Sequence, residues 1–124
     1  MRVAILGGGP AGLYFSALWK SRHPHDAVEL FEQNRADTTW GFGVVFSDRA
    51  LEFLRGDDPA TADFITPHMQ SWQDIAIVHG GETIAIDGVG FSAIGRLALL
   101  QLLQQRALDA GVRLHFATAV ATLD

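Results

Sequence analysis

The sequence predicts an α/β fold built on a βαβ unit with parallel strands, and three observations carry that expectation. A short apolar run, Arg2 to Leu6, leads directly into Gly7-Gly8-Gly9-Pro10-Ala11-Gly12, a G-x-G-x-x-G pattern where a strand turns into a helix. A second apolar run, Ala27 to Phe31, follows the helical stretch. It ends at Glu32, twenty positions after Gly12, the separation at which dinucleotide-binding folds place the acid that takes a ribose hydroxyl. Strand, glycine turn, helix, strand and acid in this order make a Rossmann-like unit.

Each part has a physical reason. Gly7 permits the tight turn, Gly9 lacks a Cβ and so lets a pyrophosphate approach the backbone, and Gly12 lets the helix pack closely on the strands. Pro10 suits the first helical position, where its missing N–H costs nothing. The helix it opens, roughly Ala11 to Arg22, aims its unpaired N–H groups and positive dipole end at the phosphates. Leu13, Tyr14, Phe15, Ala17 and Leu18 make nearly every face apolar as far as Trp19, so the helix is expected to be largely buried, with Ser16 keeping its contact side small. Glu32 is then a ribose acceptor; a solvated strand-end carboxylate is the other account of it.

Beyond Glu32 the pattern departs from a plain nucleotide-binding domain. Asn34 to Phe46 reads as irregular, and Trp40-Gly41-Phe42-Gly43-Val44-Val45-Phe46 suggests backbone held close to something flat or large. A short helix follows, with Ser47 as N-cap and Gly56 as its stop, and Pro59 opens another to about Ile65. Trp72 to Val78 and Glu82 to Ile86 alternate at period two around His79-Gly80-Gly81, which predicts an inserted β-hairpin. Gly88 to Gly95 reads as a glycine-punctuated loop. Arg96 starts a helix with Leu97, Leu100, Leu103 and Ala107 at helical spacing, and Gly111 ends it. Val112 to Phe116 is a further parallel strand, with Ala117 to Leu123 continuing extended. A cation in a helix's first turn opposes the dipole, so Arg96 calls for an anionic partner, either a ligand or a nearby acid.

Composition bounds the function. The chain has 124 residues, enough for one domain, and 48% hydrophobic residues, enough for a sizeable core. A formal charge of −5 without a run of Lys or Arg argues against nucleic acid and anionic membrane surfaces as partners. The absence of cysteine removes thiol chemistry and fits a cytoplasmic protein. The first apolar run is too short for a signal peptide or a membrane span. Five His residues, at 23, 25, 68, 79 and 115, show no helix-spaced pair, so no metal site is expected. Ser92 lacks the second glycine of a nucleophile elbow and reads as a loop residue, and Asp57-Asp58 as a solvated turn.

Gly-Gly-Gly-Pro-Ala-Gly-Leu-Tyr-Phe at 7–15, Phe-Glu-Gln-Asn-Arg at 31–35, Gly-Phe-Gly-Val-Val-Phe-Ser-Asp at 41–48 and Gly-Phe-Ser-Ala-Ile-Gly-Arg at 90–96 together resemble the N-terminal part of single-component FAD-dependent aromatic hydroxylases. The pattern is most similar to the group acting on salicylyl-CoA and anthraniloyl-CoA. The resemblance implies an FAD-binding domain in which Gly7, Gly9, Pro10, Ala11 and Gly12 hold the pyrophosphate and Glu32 takes the adenosine ribose. Gly43, Val44 and Val45 would lie along the ribityl and flavin side, Arg96 would reach the phosphate or ribityl region, and Val120 would border the adenine. Gln33 stands where many relatives place an arginine, with Arg35 as the substitute cation. The resemblance further implies NADH or NADPH as reductant, a small aromatic substrate such as a CoA thioester, and a possible homo-oligomer. The family's later Asp-Gly and Gly-Asp motifs have no counterpart, so the resemblance implies part of a longer flavoprotein, incomplete as an isolated chain, with the hairpin at about 72–87 on the substrate side. From the residues alone, a non-catalytic nucleotide-binding module and an NAD(P)-dependent dehydrogenase domain stay open.

Overall fold

The computed structural model describes residues 1–122. In chain order the elements are β1 (Arg2–Leu6), α1 (Pro10–Arg22), β2 (Ala27–Phe31), β3 (Gly43–Ser47), α2 (Asp48–Asp57), α3 (Pro59–Ile65), a 3-10 turn (Thr66–His68), β4 (Gln70–Trp72), β5 (Ile75–His79), β6 (Glu82–Ile86), β7 (Phe91–Gly95), α4 (Arg96–Ala110) and β8 (Arg113–His115). They fall into two compact units, residues 1–41 together with the chain from Arg96 onward, and residues 42–95.

The first unit is the expected βαβ core. Its sheet has the order β1-β2-β8 with both pairings parallel, Ile5 opposite Leu30 and Leu30 opposite Leu114. The helices α1 and α4 pack on each other, burying Leu13, Ser16 and Ala17 from α1 and Leu99, Leu100, Leu103 and Ala107 from α4. With Val28 and Leu30 of β2 they form the core of this unit, each large side chain contributing about 1.5–3 kcal/mol of burial. On the alternate positions of the sheet Glu29 accepts hydrogen bonds from Arg113 and His115, and the His115 ring stacks on Phe31 at 4.7 Å.

α1 is less buried than its composition predicts, since only one stripe of it meets α4 and the sheet. Phe15 remains 49% exposed. Its apolar outer positions contact one another instead, Phe15 against Trp19 at 5.8 Å and Trp19 against His23 at 4.6 Å, the i, i+4 spacing at which helix side chains meet. α4 ends as expected: Gly111, at φ +94°, donates to the Leu108 carbonyl and Val112 donates to that of Ala107, the pair of bonds that closes a Schellman motif. The strand after it is shorter than the expected Val112 to Phe116, Ala117 takes φ +51°, and Leu123 lies outside the described residues.

The second unit contains the main departures. Gly88 to Gly95 is not a loop throughout: Phe91–Gly95 is the central strand of an antiparallel sheet ordered β3-β7-β4, with Ser92 and Ile94 buried. Flanking glycines masked its period-two alternation. Ser92 is therefore a sheet residue, sharing a 2.8 Å hydrogen bond with Ser71 across the ladder. The irregular stretch assigned as far as Phe46 ends earlier, because the β-branched Val44 and Val45 pair with Ile94 and Ala93 in β3.

Trp72 belongs to β4 rather than to the hairpin. Gln73 and Asp74 leave the ladder there to accept hydrogen bonds from Val89, Gly90 and Gly88. The hairpin itself forms, with Gly80 and Gly81 at φ +60° and +84°, as a two-residue I′ turn requires. Ser47 caps α2 by accepting from the Ala50 N–H, but the helix runs past Gly56 to Asp57. Asp58 provides the junction, its N–H closing α2 on the Leu54 carbonyl while its carboxylate accepts from Thr61 to start α3. No helix among the described residues is long and apolar enough to cross a membrane.

Because Gly111 holds a left-handed conformation that an L side chain adopts at a cost of about 1–2 kcal/mol, Gly111→Ala should lower the unfolding free energy by about that amount. Urea titration of the two proteins checks it, and an unchanged midpoint would contradict this account of the α4 terminus.

Candidate functional site

Gly7 and Gly12 have the structural roles that the sequence predicts. Gly7 sits at φ +105° and its N–H donates to the Phe31 carbonyl at 2.8 Å, joining the turn to the end of β2. A Cβ on Gly12 would collide with the Gly7 carbonyl, so close packing of α1 on its own approach loop demands glycine there. Gly9 is different. It has the ordinary φ of −73°, and a Cβ placed on it would meet nothing within 4 Å. Nothing inside the chain requires glycine at that position, so the open space beside it is room for something from outside. Gly9 is also the N-cap of α1, with no side chain bonded to the first turn and no acid in it, which leaves the helix's leading N–H groups, Ala11 and Gly12 included, available to an anion.

Glu32 closes the other side of the turn. One carboxylate oxygen accepts the Gly8 N–H at 2.7 Å; the other accepts both the backbone N–H and the side-chain amide of Asn34, each at 2.7 Å. Gly8 is required for this approach, since a Cβ there would lie 2.8 Å from that of Glu32. Burial is the largest influence on the Glu32 carboxyl and raises its pKa, but the hydrogen bonds from Asn34 and Gly8 together outweigh it and hold the group below its usual value. The acid is thus ionised and oriented by the donors of Gly8 and Asn34, with the Gln33 N–H also lowering its pKa.

Two concavities flank the turn. One, of about 100 Å³, is lined by Gly8, Gly9, Pro10, Glu32 and Arg35 together with Arg96, Gln104 and the segment from Asn34 to Trp40. The other, of about 170 Å³, is lined by Leu6, Gly7, Glu32, Gln33, Thr118 and Val120. Both are smaller than the roughly 300–1,000 Å³ of a complete small-molecule site. Glu32 borders both. Arg96, at the start of α4, has its Nε buried without a hydrogen-bond partner. Arg35, expected as the adenosine-side cation, borders the first pocket, but its guanidinium pairs with Asp37 at 3.1 Å and is 78% exposed.

The structure therefore brings together the expected Gly7, Gly9, Pro10, Glu32, Gln33, Arg35, Arg96 and Val120 around one turn. Gly43, Val44 and Val45 lie in β3 of the second unit. The sequence reading missed Gly8, Asn34, Thr39 and Gln104. A third consecutive glycine was the available signal for Gly8; none marks the others. The residues fit a dinucleotide's pyrophosphate on three counts: open space at Gly9, unpartnered helix N–H groups, and a buried cationic donor that lacks an acceptor.

No family model matches the chain. In sequence it is 42% identical over 120 residues to salicyloyl-CoA 5-hydroxylase of a Streptomyces species, covering 97% of this chain and 23% of that protein. It is 31% identical over 113 residues to 3-hydroxy-4-methyl-anthranilyl-[aryl-carrier protein] 5-monooxygenase of Streptosporangium sibiricum, covering 91% of this chain and 32% of that one. Among solved structures, 2-methyl-3-hydroxypyridine-5-carboxylic acid oxygenase superposes with a TM-score of 0.78 at 21% identity, over 99% of this chain and 33% of that one. The chain thus spans about a quarter to a third of the length of these relatives.

The clasp on Glu32 yields a pH signature. Its folded pKa lies below the unfolded value, so its stabilising effect is complete above the ordinary carboxylate range and is lost as pH falls through the folded value. The difference in melting temperature between the native chain and Glu32→Gln should be present at pH 7 and shrink below about pH 4; a pH-independent difference would remove the ionised clasp. Over nearly its whole length the chain is similar in sequence to salicyloyl-CoA 5-hydroxylase and to 3-hydroxy-4-methyl-anthranilyl-[aryl-carrier protein] 5-monooxygenase.

Proposed function

We propose that the chain is the FAD-binding part of a flavin-dependent aromatic-ring monooxygenase that uses NADH or NADPH and O2, with an aryl-CoA thioester such as salicylyl-CoA or anthraniloyl-CoA as substrate. The observation that carries the nucleotide part is Gly9, a glycine the fold itself does not need, standing beside a buried arginine donor with no acceptor. The substrate class rests on the relatives, one acting on a CoA thioester and one on an aryl group held by a carrier protein. A cytoplasmic location and assembly into homo-oligomers belong to the same proposal. The solved relative with the same fold has a form described as tetrameric.

The geometry of the first unit supports the following roles. Gly9 and the first turn of α1 would hold the pyrophosphate, and Arg96 would supply the compensating charge. Glu32, already ionised and oriented by Gly8 and Asn34, accepts from a ribose hydroxyl, with Val120 and Gln33 bordering the adenine. On the family resemblance alone, Gly43, Val44 and Val45 would serve the ribityl and flavin side. When bound, the flavin supplies the redox chemistry with O2 that hydroxylates the ring; the protein contributes binding, orientation and exclusion of water.

Since a Cβ at Gly9 meets no protein atom within 4 Å, Gly9→Ala and Gly9→Val should fold normally yet lose FAD stepwise with side-chain size. Flavin absorbance of the purified proteins, with circular dichroism as the fold check, measures this; full flavin content in Gly9→Val would contradict the site. Glu32→Ala removes a charge-assisted hydrogen bond contributing about 1.5–3 kcal/mol, so FAD affinity should fall about ten- to a hundredfold. FMN, which lacks the adenosine, should be affected far less; equal losses for FAD and FMN would contradict the adenosine-side role.

A further inference from the structure

Two polar side-chain atoms among the described residues are buried without a hydrogen-bond partner, Arg96 Nε and Thr39 Oγ1, and both belong to residues that line the pocket beside the glycine turn. The second has no part in the scheme above. A buried hydroxyl left unpaired costs about 1–3 kcal/mol, so its retention calls for a partner. Arg96 Nε can only donate, which fixes the chemistry of any group serving both atoms as an acceptor. The segment carrying Thr39 is held from several sides. Thr38 donates to the Arg35 carbonyl at 3.0 Å, Arg35 pairs with Asp37, and Gln104 of α4 donates to the Ala36 carbonyl at 2.9 Å. The threonine is therefore presented by a preorganised turn, and binding need not order it first.

We infer that Thr39 is a second anchor of the dinucleotide phosphates, its hydroxyl donating to a phosphate oxygen that Arg96 Nε also contacts. This rests on the dinucleotide reading above. Arg96 supplies charge from the start of α4, whereas Thr39 would hold the oxygen from the loop that follows Glu32, so that two different segments fix its position. Gln104 acts through Ala36 as a positioning residue for the same turn.

Thr39→Val keeps shape and volume while deleting the hydroxyl, and Thr39→Ser keeps the hydroxyl. Dissociation constants for FAD, ADP and adenosine should be measured by titration on the apo chain and on both variants, with Gly9→Val as control. The expected result is a loss of about tenfold or more for FAD and ADP in Thr39→Val, near-native values in Thr39→Ser, and no change for adenosine, which carries no phosphate. Thermal unfolding of apo Thr39→Val should be unchanged or raised, because an unsatisfied buried hydroxyl has been removed; a purely structural role would lower it. Native FAD and ADP affinity in Thr39→Val, with Gly9→Val impaired, would overturn the assignment of Thr39 alone. Native affinity in both would overturn the pyrophosphate site and this inference with it. A loss shared equally by adenosine would place the effect away from the phosphates and also overturn it.

Discussion

The contact on which the rest of the site depends is the close approach of α1 to the turn that precedes it. Gly12 sits against the Gly7 carbonyl with no space for a single methyl group. That packing sets where the helix begins, and Gly7 at φ +105° turns the chain sharply enough to reach it. Everything functional follows from the resulting geometry: the N–H groups of α1 point past Gly9, and β2 ends beside the turn so that Glu32 meets the Gly8 N–H. Replacing any one of these elements would displace a pocket wall rather than merely loosen a helix.

The clasp between Glu32, Gly8 and Asn34 then ties strand, turn and following loop together. One carboxylate accepts from Gly8 and twice from Asn34, and its ionisation is what makes the arrangement favourable. The continuing backbone reinforces it, since the Glu32 N–H donates to His115 and the Glu32 carbonyl accepts from Thr118. The end of β8 and the segment leading to Val120 are thereby fixed relative to the same acid. A single residue borders both concavities, as the proposed phosphate and adenine contacts require.

Much of the first unit was legible in the sequence because its demands fall on the backbone. Gly7, Gly9 and Gly12 each answer a distinct steric question, and the structure returns three distinct answers. β1 and β2 were legible to the residue because short apolar runs bounded by a glycine turn and an acid leave no freedom of register. β7 was hidden, since Gly88, Gly90 and Gly95 crowd around the alternating Phe91-Ser92-Ala93-Ile94 and suggest a loop. Asn34 and Thr39 were hidden for a deeper reason. Their importance lies in what their side-chain polar atoms meet or fail to meet, and no periodicity or composition encodes that.

The account's central claim is that the space above Gly9 and the orphaned Arg96 Nε are two halves of one pyrophosphate site. A crystal structure of the protein with FAD tests it most directly. The account predicts a phosphate oxygen within hydrogen-bond distance of Arg96 Nε, about 2.7–3.2 Å, with the pyrophosphate lying across the Gly9 backbone and the adenosine ribose at Glu32. FAD bound elsewhere, or bound there with Arg96 turned away and its Nε still unpartnered, would contradict it.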